Sequence, residues 1–279
     1  MASNLKSLLS YQDIPKWQQS NRYLLSGYRA PSGSALACLA SALFLNNETI
    51  NIYSHLVGGF VFALLPIYFQ LAFDPPLADA IAVAIFLEGV AICFLLSALF
   101  HTFENHNPSV SNFFHHLEHL GIVILMWGAG ISMIHYGFLC DARLRTTYWT
   151  LMSCAAGSCA AVTFLPKLRT PQYHCWKVAT YTSLGLTGLV FITHGLVVFG
   201  WETQNRRMPF LWMAAMAVTN LIGALMFVTR IPERWFPHKF DLVGCSHQIF
   251  HVAVIVAACL HFVTLVKAST STRNETCVT

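Results

Sequence analysis

Long apolar stretches alternate with short polar connections along the whole chain. Seven of these stretches approach the roughly 20 residues that an α-helix needs to cross the hydrocarbon core of a bilayer. They lie near residues 51–73, 78–101, 118–139, 147–166, 176–199, 210–230 and 247–267. The second is the most continuous, whereas the fourth is short and rich in Gly, Ser and Cys. The pattern predicts an all-α membrane protein built as a seven-transmembrane-helix bundle.

Composition supports a membrane environment. Of the 279 residues, 56% are hydrophobic and only 10% are charged, against about 25% charged in an average soluble domain. The formal net charge of +4 is small and dispersed, so no nucleic-acid partner is indicated. We therefore expect an integral, multi-pass protein of the plasma membrane or an endomembrane. Its predicted parts are an N-terminal segment at 1–45, a membrane domain at 46–268 and a C-terminal tail at 269–279.

The distribution of Lys and Arg predicts the orientation of the bundle. If the N-terminus is cytosolic, the inside connections carry ten of these residues and the outside connections carry six. Basic residues favour the cytosolic side of a membrane protein, so we expect a cytosolic N-terminus and a C-terminus outside or in a lumen. The first 20 residues lack the continuous apolar core of a signal peptide. We expect the first membrane helix to direct insertion instead.

Nine cysteines are distributed over the chain, most of them inside apolar stretches and none in a CxxC pair. Cysteines in such positions behave as small, buried apolar side chains. We therefore predict no disulfide framework.

Polar and ionisable side chains gather at the predicted cytosolic ends of four helices. Ionisable residues are costly within a membrane and mark functional positions, so these coincident ends predict a functional site at one depth. The side chains are Asn51, Ser54 and His55 in the first helix, Ser97 and His101 in the second, His115, Glu118 and His119 in the third, and Ser246, His247 and His251 in the seventh.

Three of the histidines have the spacing of metal ligands. His247 and His251 are four residues apart, which places both imidazoles on one face of a helix. Together with His101 and a water molecule, they would form the open tetrahedral site of a catalytic zinc ion. Imidazole also suits copper, iron and nickel. The alternative is that the histidines donate hydrogen bonds to neighbouring carbonyl groups.

A catalytic metal site also needs a group that accepts a proton from the bound water, and a carboxylate is a common choice. Glu118 is the acid that we expect in this role, because Glu48 and Glu104 lie in more polar surroundings. Ser97, four residues before His101, is expected to hydrogen-bond the metal-bound water or the oxyanion.

Four motifs, in this order, resemble the signatures of the progestin and adipoQ receptor family, which is also called haemolysin-III-related. They are ETINIYSHL at residues 48–56, SALFHT at residues 97–102, PERWFP at residues 232–237 and SHQIFH at residues 246–251. The resemblance extends over nearly the whole chain, from about Tyr11 to Lys267. In its short N-terminal segment, the chain resembles members of the adiponectin-receptor branch and their fungal relatives.

The resemblance implies seven helices with a cytosolic N-terminus and a zinc ion held by His101, His247 and His251. It also implies ceramidase-like hydrolysis of a lipid amide, with a ceramide-like membrane lipid as the substrate, and a role in lipid and zinc metabolism. Members of the family usually carry Leu-Asp near the zinc-bound water, whereas Leu117-Glu118 stands at that position here. The longer side chain leaves the efficiency and the substrate of hydrolysis open.

Three other functions remain open at this point. In a receptor, the zinc would be structural and the bundle would transmit a signal from an extracellular ligand that the sequence does not identify. In a transporter or pore, a path would be lined by Glu88, His135, His194 and Asn220. In a related hydrolase, the same site would act on another lipid-like substrate.

Overall fold

The computed structural model describes residues 7–165, 174–275 and 277. Within these residues the chain forms eight α-helices and a short 3₁₀ turn at Lys16–Gln18. The extended pairing in the same residues is one isolated antiparallel bridge between Leu9 and Tyr28. The all-α prediction is therefore confirmed. The helices are α1 (Ala35–Ala42), α2 (Thr49–Phe73), α3 (Leu77–Phe103), α4 (Pro108–Gly137), α5 (Ala142–Phe164), α6 (His174–Arg207), α7 (Phe210–Thr229) and α8 (Ser246–Thr272).

Six of the helices are long and apolar enough to cross a membrane. They are α2, α3, α4, α7, α8 and, from Ala179 onward, α6. The protein is therefore an integral, multi-pass membrane protein, as predicted. Helix α1 has eight residues and, at about 1.5 Å per residue, is too short to span a bilayer.

Helix α5 covers most of the fourth predicted span but is not one of these six helices. Its 23 residues include many hydroxyl-bearing and small side chains, so it is less apolar than these six membrane-spanning segments. A membrane span of seven helices, with α5 among them, stays a prediction. Helix α5 begins where Asp141 accepts a hydrogen bond from the backbone N–H of Leu144, at 2.9 Å, which satisfies one of the free amides of its first turn.

The chain divides into two compact units. The first contains the described parts of residues 1–58, 94–118 and 217–257, and the second those of 59–93, 119–216 and 258–279.

In the first unit, the N-terminal segment folds against the connection between α7 and α8. Two acids of that connection are buried and accept hydrogen bonds from the N-terminal segment. The carboxylate of Glu233 accepts one from the Asn21 side chain at 3.0 Å, and that of Asp241 accepts one from the Ser26 hydroxyl at 2.7 Å. A small apolar core in the same unit consists of Ile14, Leu24, Tyr28 and Cys245. Residues 14–28 of the N-terminal segment therefore pack against this connection.

In the second unit, α3 and α4 approach closely because glycine stands at their contact. A Cβ atom at Gly121 would lie 2.9 Å from the Cα atom of Cys93, and one at Gly128 would lie 2.8 Å from the carbonyl oxygen of Ile85. Small residues allow the backbones of membrane helices to come together in this way. Substitution of either glycine would force the two helices apart.

The second unit also contains a disulfide bond between Cys140, which follows α4, and Cys277 in the C-terminal tail. The prediction that the cysteines form no disulfide is wrong for this pair. The two residues are 137 positions apart, and they meet because the tail folds back onto the unit. Arg207 pairs with Glu275, and Arg273 donates to the carbonyl oxygen of Phe73 at 2.8 Å.

Candidate metal centre

The histidines of the candidate centre lie at the ends of two helices in the first unit. His101 is in the last turn of α3 and is 3% exposed. His247 and His251 lie in the first two turns of α8, on one face because of their spacing. The first turn of α8 is held by Glu233, whose carboxylate accepts hydrogen bonds from the backbone N–H of Ser246 at 2.7 Å and from its hydroxyl.

The three imidazoles point their Nε2 atoms at one another. The Nε2 atom of His247 lies 3.3 Å from that of His101 and 3.1 Å from that of His251. One ligating atom from each ring lies within 4.8 Å of the others. A metal ion with bonds of about 2.0–2.1 Å to tetrahedrally placed nitrogens separates those nitrogens by about 3.3–3.4 Å. The three side chains can therefore hold one metal ion between them.

The chemistry of the donors favours this arrangement over a hydrogen-bonded one. A neutral imidazole offers one N–H donor and one bare nitrogen acceptor. Three Nε2 atoms that face each other cannot all find complementary partners in the group, whereas three bare nitrogens can all bind one cation. The predicted alternative, hydrogen bonds from these histidines to carbonyl groups, does not describe the Nε2 contacts of His247.

The predicted acid and hydroxyl lie beside the histidines. The Oε1 atom of Glu118, on α4, is 3.4 Å from the Nε2 atom of His101. The hydroxyl of Ser97, one turn before His101 on α3, donates to the same carboxylate oxygen at 2.7 Å. All five predicted site residues thus come together, and Ser97 contacts the carboxylate directly.

Glu48 is part of the centre although its sequence surroundings gave it no role. It stands immediately before α2, and its Oε2 atom lies 2.8 Å from the Nδ1 atom of His101. The side chain of Asn51 donates to the same oxygen at 2.6 Å. A carboxylate on the second nitrogen of a metal-binding histidine fixes its tautomer and orientation, and here it leaves Nε2 free to bind. The available signal was the position of Glu48 as the first residue of the ETINIYSHL motif.

Charged groups from the N-terminal segment and from two connections between helices lie at the same end of α3. Burial opposes ionisation of both acids here, but the close contacts from His101 Nδ1 and from the Asn51 amide hold the pKa of Glu48 below its usual value. For Glu104, burial and the adjacent charge of Glu48 raise the pKa above its usual value. The buried guanidinium of Arg29 donates to the carbonyl oxygens of His101 and, at 3.1 Å, Thr102. A cation in this position stabilises the negative end of the helix dipole.

His55, on α2, supports the ring of a ligand. It is buried, and its ring stacks between those of His251, at a centroid distance of 3.8 Å, and Phe94, at 4.5 Å. The sequence grouped His55 with the other polar helix ends but assigned no role to it. In the structure it restricts the rotation of His251.

Two histidines from the transport hypothesis lie in the second unit and have defined partners. His135 Nε2 is 3.0 Å from Asp79 Oδ1, and His194 Nδ1 is 2.8 Å from the Tyr148 hydroxyl. Polar contacts between helices of this kind stabilise the packing of membrane bundles. They therefore account for both histidines without a transport path.

Comparison with known protein families identifies the relationship. A family model described as "Haemolysin-III related" matches residues 43–262. The chain belongs to the haemolysin-III-related family. Curated relatives include "Adiponectin receptor protein" of Drosophila melanogaster, 33% identical over 254 residues. Others are "Progestin and adipoQ receptor-like protein 1" of Caenorhabditis elegans, 31% identical over 272 residues, and "ADIPOR-like receptor IZH2" of Saccharomyces cerevisiae, 30% identical over 261 residues.

These matches cover 90%, 97% and 92% of this chain, respectively. They cover 57% of the fly protein, 63% of the nematode protein and 82% of the yeast protein. The chain thus spans less than two thirds of the length of the first two haemolysin-III-related relatives. The family match at residues 43–262 contains the residues of the candidate metal centre. They are Glu48, Ser97, His101, Glu118, His247 and His251.

Proposed function

We propose that the chain is a zinc-dependent hydrolase of a lipid amide, with a ceramide-like membrane lipid as its substrate. The observation that carries this proposal is the position of one carboxylate beside three converging imidazoles. The Oε1 atom of Glu118 lies 3.4 Å from His101 Nε2, in the group of nitrogens that can hold a metal ion. A carboxylate so placed is suited to act on a metal-bound water.

Zinc suits the residues that are present. Three histidines with a fourth, open position form the ligand set of catalytic zinc sites. His101, His247 and His251 would hold the ion, and Glu48 would keep His101 in the tautomer that binds through Nε2. Zinc in such a site lowers the pKa of its bound water to about 7 and polarises a substrate carbonyl group.

The residues of the chain would then move the protons of the reaction. Ser97 donates to Oε1 of Glu118, which orients the carboxylate. Glu118 would accept a proton from the attacking water as a general base and deliver it to the departing amine as a general acid. The products would be a fatty acid and a sphingosine-type base.

The length of the Glu118 side chain is expected to affect the substrate preference and the rate of hydrolysis. Members of the family that the motifs resemble usually carry aspartate at this position, and glutamate is one methylene longer. The 2.7 Å bond from Ser97 holds this longer side chain in place. We propose that the chain hydrolyses its substrate with glutamate at this position. The turnover of a Glu118→Asp variant, compared with that of wild type, measures the effect of the added methylene.

We also propose that α5 completes a seven-helix bundle, with a cytosolic N-terminus and a C-terminus outside or in a lumen. The parts would be an N-terminal segment at 1–45, a membrane domain at 46–268 and a tail at 269–279. The disulfide between Cys140 and Cys277 supports this orientation, because disulfides persist in oxidising compartments. In sealed vesicles, an impermeant thiol reagent should reach Cys277 only from that side and only after reduction.

The test of the hydrolase combines lipid and metal analysis of the purified protein. Wild type should contain bound zinc and release fatty acid from ceramide, both measured by mass spectrometry. The His247→Ala variant should lose the metal and the release. His135→Ala, which removes a buried histidine of the second unit, is the matched control and should retain both. Unchanged turnover in His247→Ala would overturn the proposal.

A second candidate is a receptor in which the metal is structural. The names of the fly, nematode and yeast relatives describe receptors, which favours this function. In that case an extracellular ligand, not yet identified, would act on the bundle. Purified protein that holds zinc, releases no lipid product and loses only thermal stability on chelation would favour the receptor over the hydrolase.

A further inference from the structure

The connection between α7 and α8 exposes aromatic and basic side chains together. Trp235 is 63% exposed and Phe236 is 50% exposed, and the basic residues Arg234 and Lys239 are exposed beside them. Arg22, from the N-terminal segment, is also exposed and stacks on Tyr23, the ring that Arg234 also covers. We call Arg22, Arg234, Trp235, Phe236 and Lys239 the aromatic–basic patch.

The acids of the same connection are directed inward. Glu233 is 1% exposed and Asp241 is 3% exposed. Their carboxylates accept hydrogen bonds from the Asn21 and Ser26 side chains, and the Oδ2 atom of Asp241 also lies 3.5 Å from Nδ1 of the exposed His238. The surface of the connection therefore carries cations whose neighbouring acids are buried.

The cations of the patch have no carboxylate partner in the described part of the chain, where every ion pair within 4.0 Å involves other basic residues. They lie close to aromatic rings instead, and one N–H of Arg22 also donates to the Tyr23 hydroxyl at 2.9 Å. Arg22 and Arg234 are 5.0 and 5.8 Å from the centroid of the Tyr23 ring, and Lys239 is 5.5 Å from that of Phe236. A cation over a ring keeps N–H groups available for an external anion.

The position of the patch in the chain places it beside a membrane surface. Its connection joins α7, which ends at Thr229, to α8, which begins at Ser246, and both helices are candidate spans. Trp favours the headgroup level of a bilayer. Lys and Arg next to a membrane helix attract anionic lipids.

We propose that the aromatic–basic patch binds the headgroups of anionic phospholipids in the adjacent leaflet. The cations contact the lipid phosphates, and the rings of Trp235 and Phe236 enter the interface between headgroups and acyl chains. Exposed side chains elsewhere, such as Leu64 and Val228 in the helices, are apolar alone and suit acyl chains of any lipid. The combination of exposed rings with unpaired cations is what selects for negative charge.

Lipid retention by the full chain tests this binding. The protein is equilibrated in detergent with equal amounts of phosphatidylserine and phosphatidylcholine, washed, and analysed by native mass spectrometry. Wild type should retain more phosphatidylserine than phosphatidylcholine. The triple variant Arg22→Gln, Arg234→Gln, Lys239→Gln should lose roughly 10- to 100-fold of that preference, since each basic residue adds to the attraction.

A matched control removes three exposed cations from the second unit. The variant Arg143→Gln, Arg206→Gln, Lys267→Gln has the same net charge as the patch variant, and it should keep the wild-type preference. A patch variant that retains as much phosphatidylserine as this control would overturn the proposal. So would a wild-type protein that retains both lipids equally.

Two further measurements distinguish a loss of lipid binding from misfolding of the variant. Metal content reports whether the patch variant is folded, because Glu233 connects the patch to the first turn of α8. If the variant does not fold, the phosphatidylserine preference of wild type is measured at increasing salt concentration. The preference should fall as salt rises, because screening weakens exposed charge contacts. A phosphatidylserine preference that is equal at low and high salt would overturn the proposal. None of these outcomes depends on whether the chain hydrolyses a lipid.

Discussion

Two buried histidine clusters use the same three helices and differ in how their polar atoms are arranged. In the candidate metal centre, α3, α4 and α8 contribute His101, Glu118 and the pair His247 and His251. In the second unit the same helices contribute Asp79, His135 and Ser269. Here one carboxylate accepts from both neighbours, with 3.0 Å to His135 and 2.8 Å to Ser269.

The difference separates a binding site from a packing contact. In the second cluster every contact joins a donor to an acceptor, so the group is complete and holds its helices together. In the first, Nε2 faces Nε2 at 3.1 and 3.3 Å, and a cation gives all of these nitrogens a partner. Residue type alone does not distinguish the clusters, since both contain buried histidine and acid.

The largest expected effect is the loss of the metal from a single ligand substitution. His251→Ala leaves only two imidazoles, so bound metal should fall from full occupancy to background in purified protein. His135→Gln, in the second cluster, should leave the metal content unchanged. Inductively coupled plasma mass spectrometry measures both. Equal metal loss in the two variants would contradict the distinction between the clusters.

Glu118→Gln should separate catalysis from metal binding. The amide cannot act as a general base, so turnover of ceramide should fall by about 10²- to 10⁴-fold, while bound metal remains. Product analysis by mass spectrometry gives the rate. Glu88→Gln changes an exposed acid of α3 and serves as the control. A Glu118→Gln enzyme with wild-type turnover would remove this residue from the mechanism.

A smaller effect is expected from the carboxylate that contacts Nδ1 of His101. Glu48→Gln keeps the shape but removes the charge, and changes of this kind lower metal affinity by about 10- to 100-fold. Competition with a fluorescent chelator measures the affinity. Glu202→Gln, an exposed acid in α6, should have no effect. An affinity equal to wild type would show that Glu48 does not orient the ligand.

The smallest effect is expected in the second cluster. Ser269→Ala removes one donor to the buried Asp79 carboxylate, so the free energy of unfolding should fall by about 1–3 kcal/mol. Thermal unfolding in detergent should show a lower midpoint, with metal content unchanged. Ser271→Ala, at an exposed position of α8, is the control. Metal loss in Ser269→Ala would mean that the two clusters are coupled.

The sequence predicted five residues of the candidate centre and missed the contacts that organise them. His101, Glu118 and Ser97 were proposed from polar residues in apolar helices, and they meet as expected. Glu48 was set aside because its neighbours in the chain are polar, yet its carboxylate contacts His101. The disulfide between Cys140 and Cys277 was also missed, because neither cysteine has a local pattern that indicates a partner.

What the sequence determined by itself was local in origin. Hydropathy over about 20 residues marks membrane helices, and the spacing of His247 and His251 places them on one face of a helix. Only the tertiary structure decided that His101, 146 positions from His247, brings its Nε2 to that face, and that Glu48 contacts its other nitrogen. Such contacts depend on how distant segments pack together, and no short-range periodicity in a single chain encodes that packing.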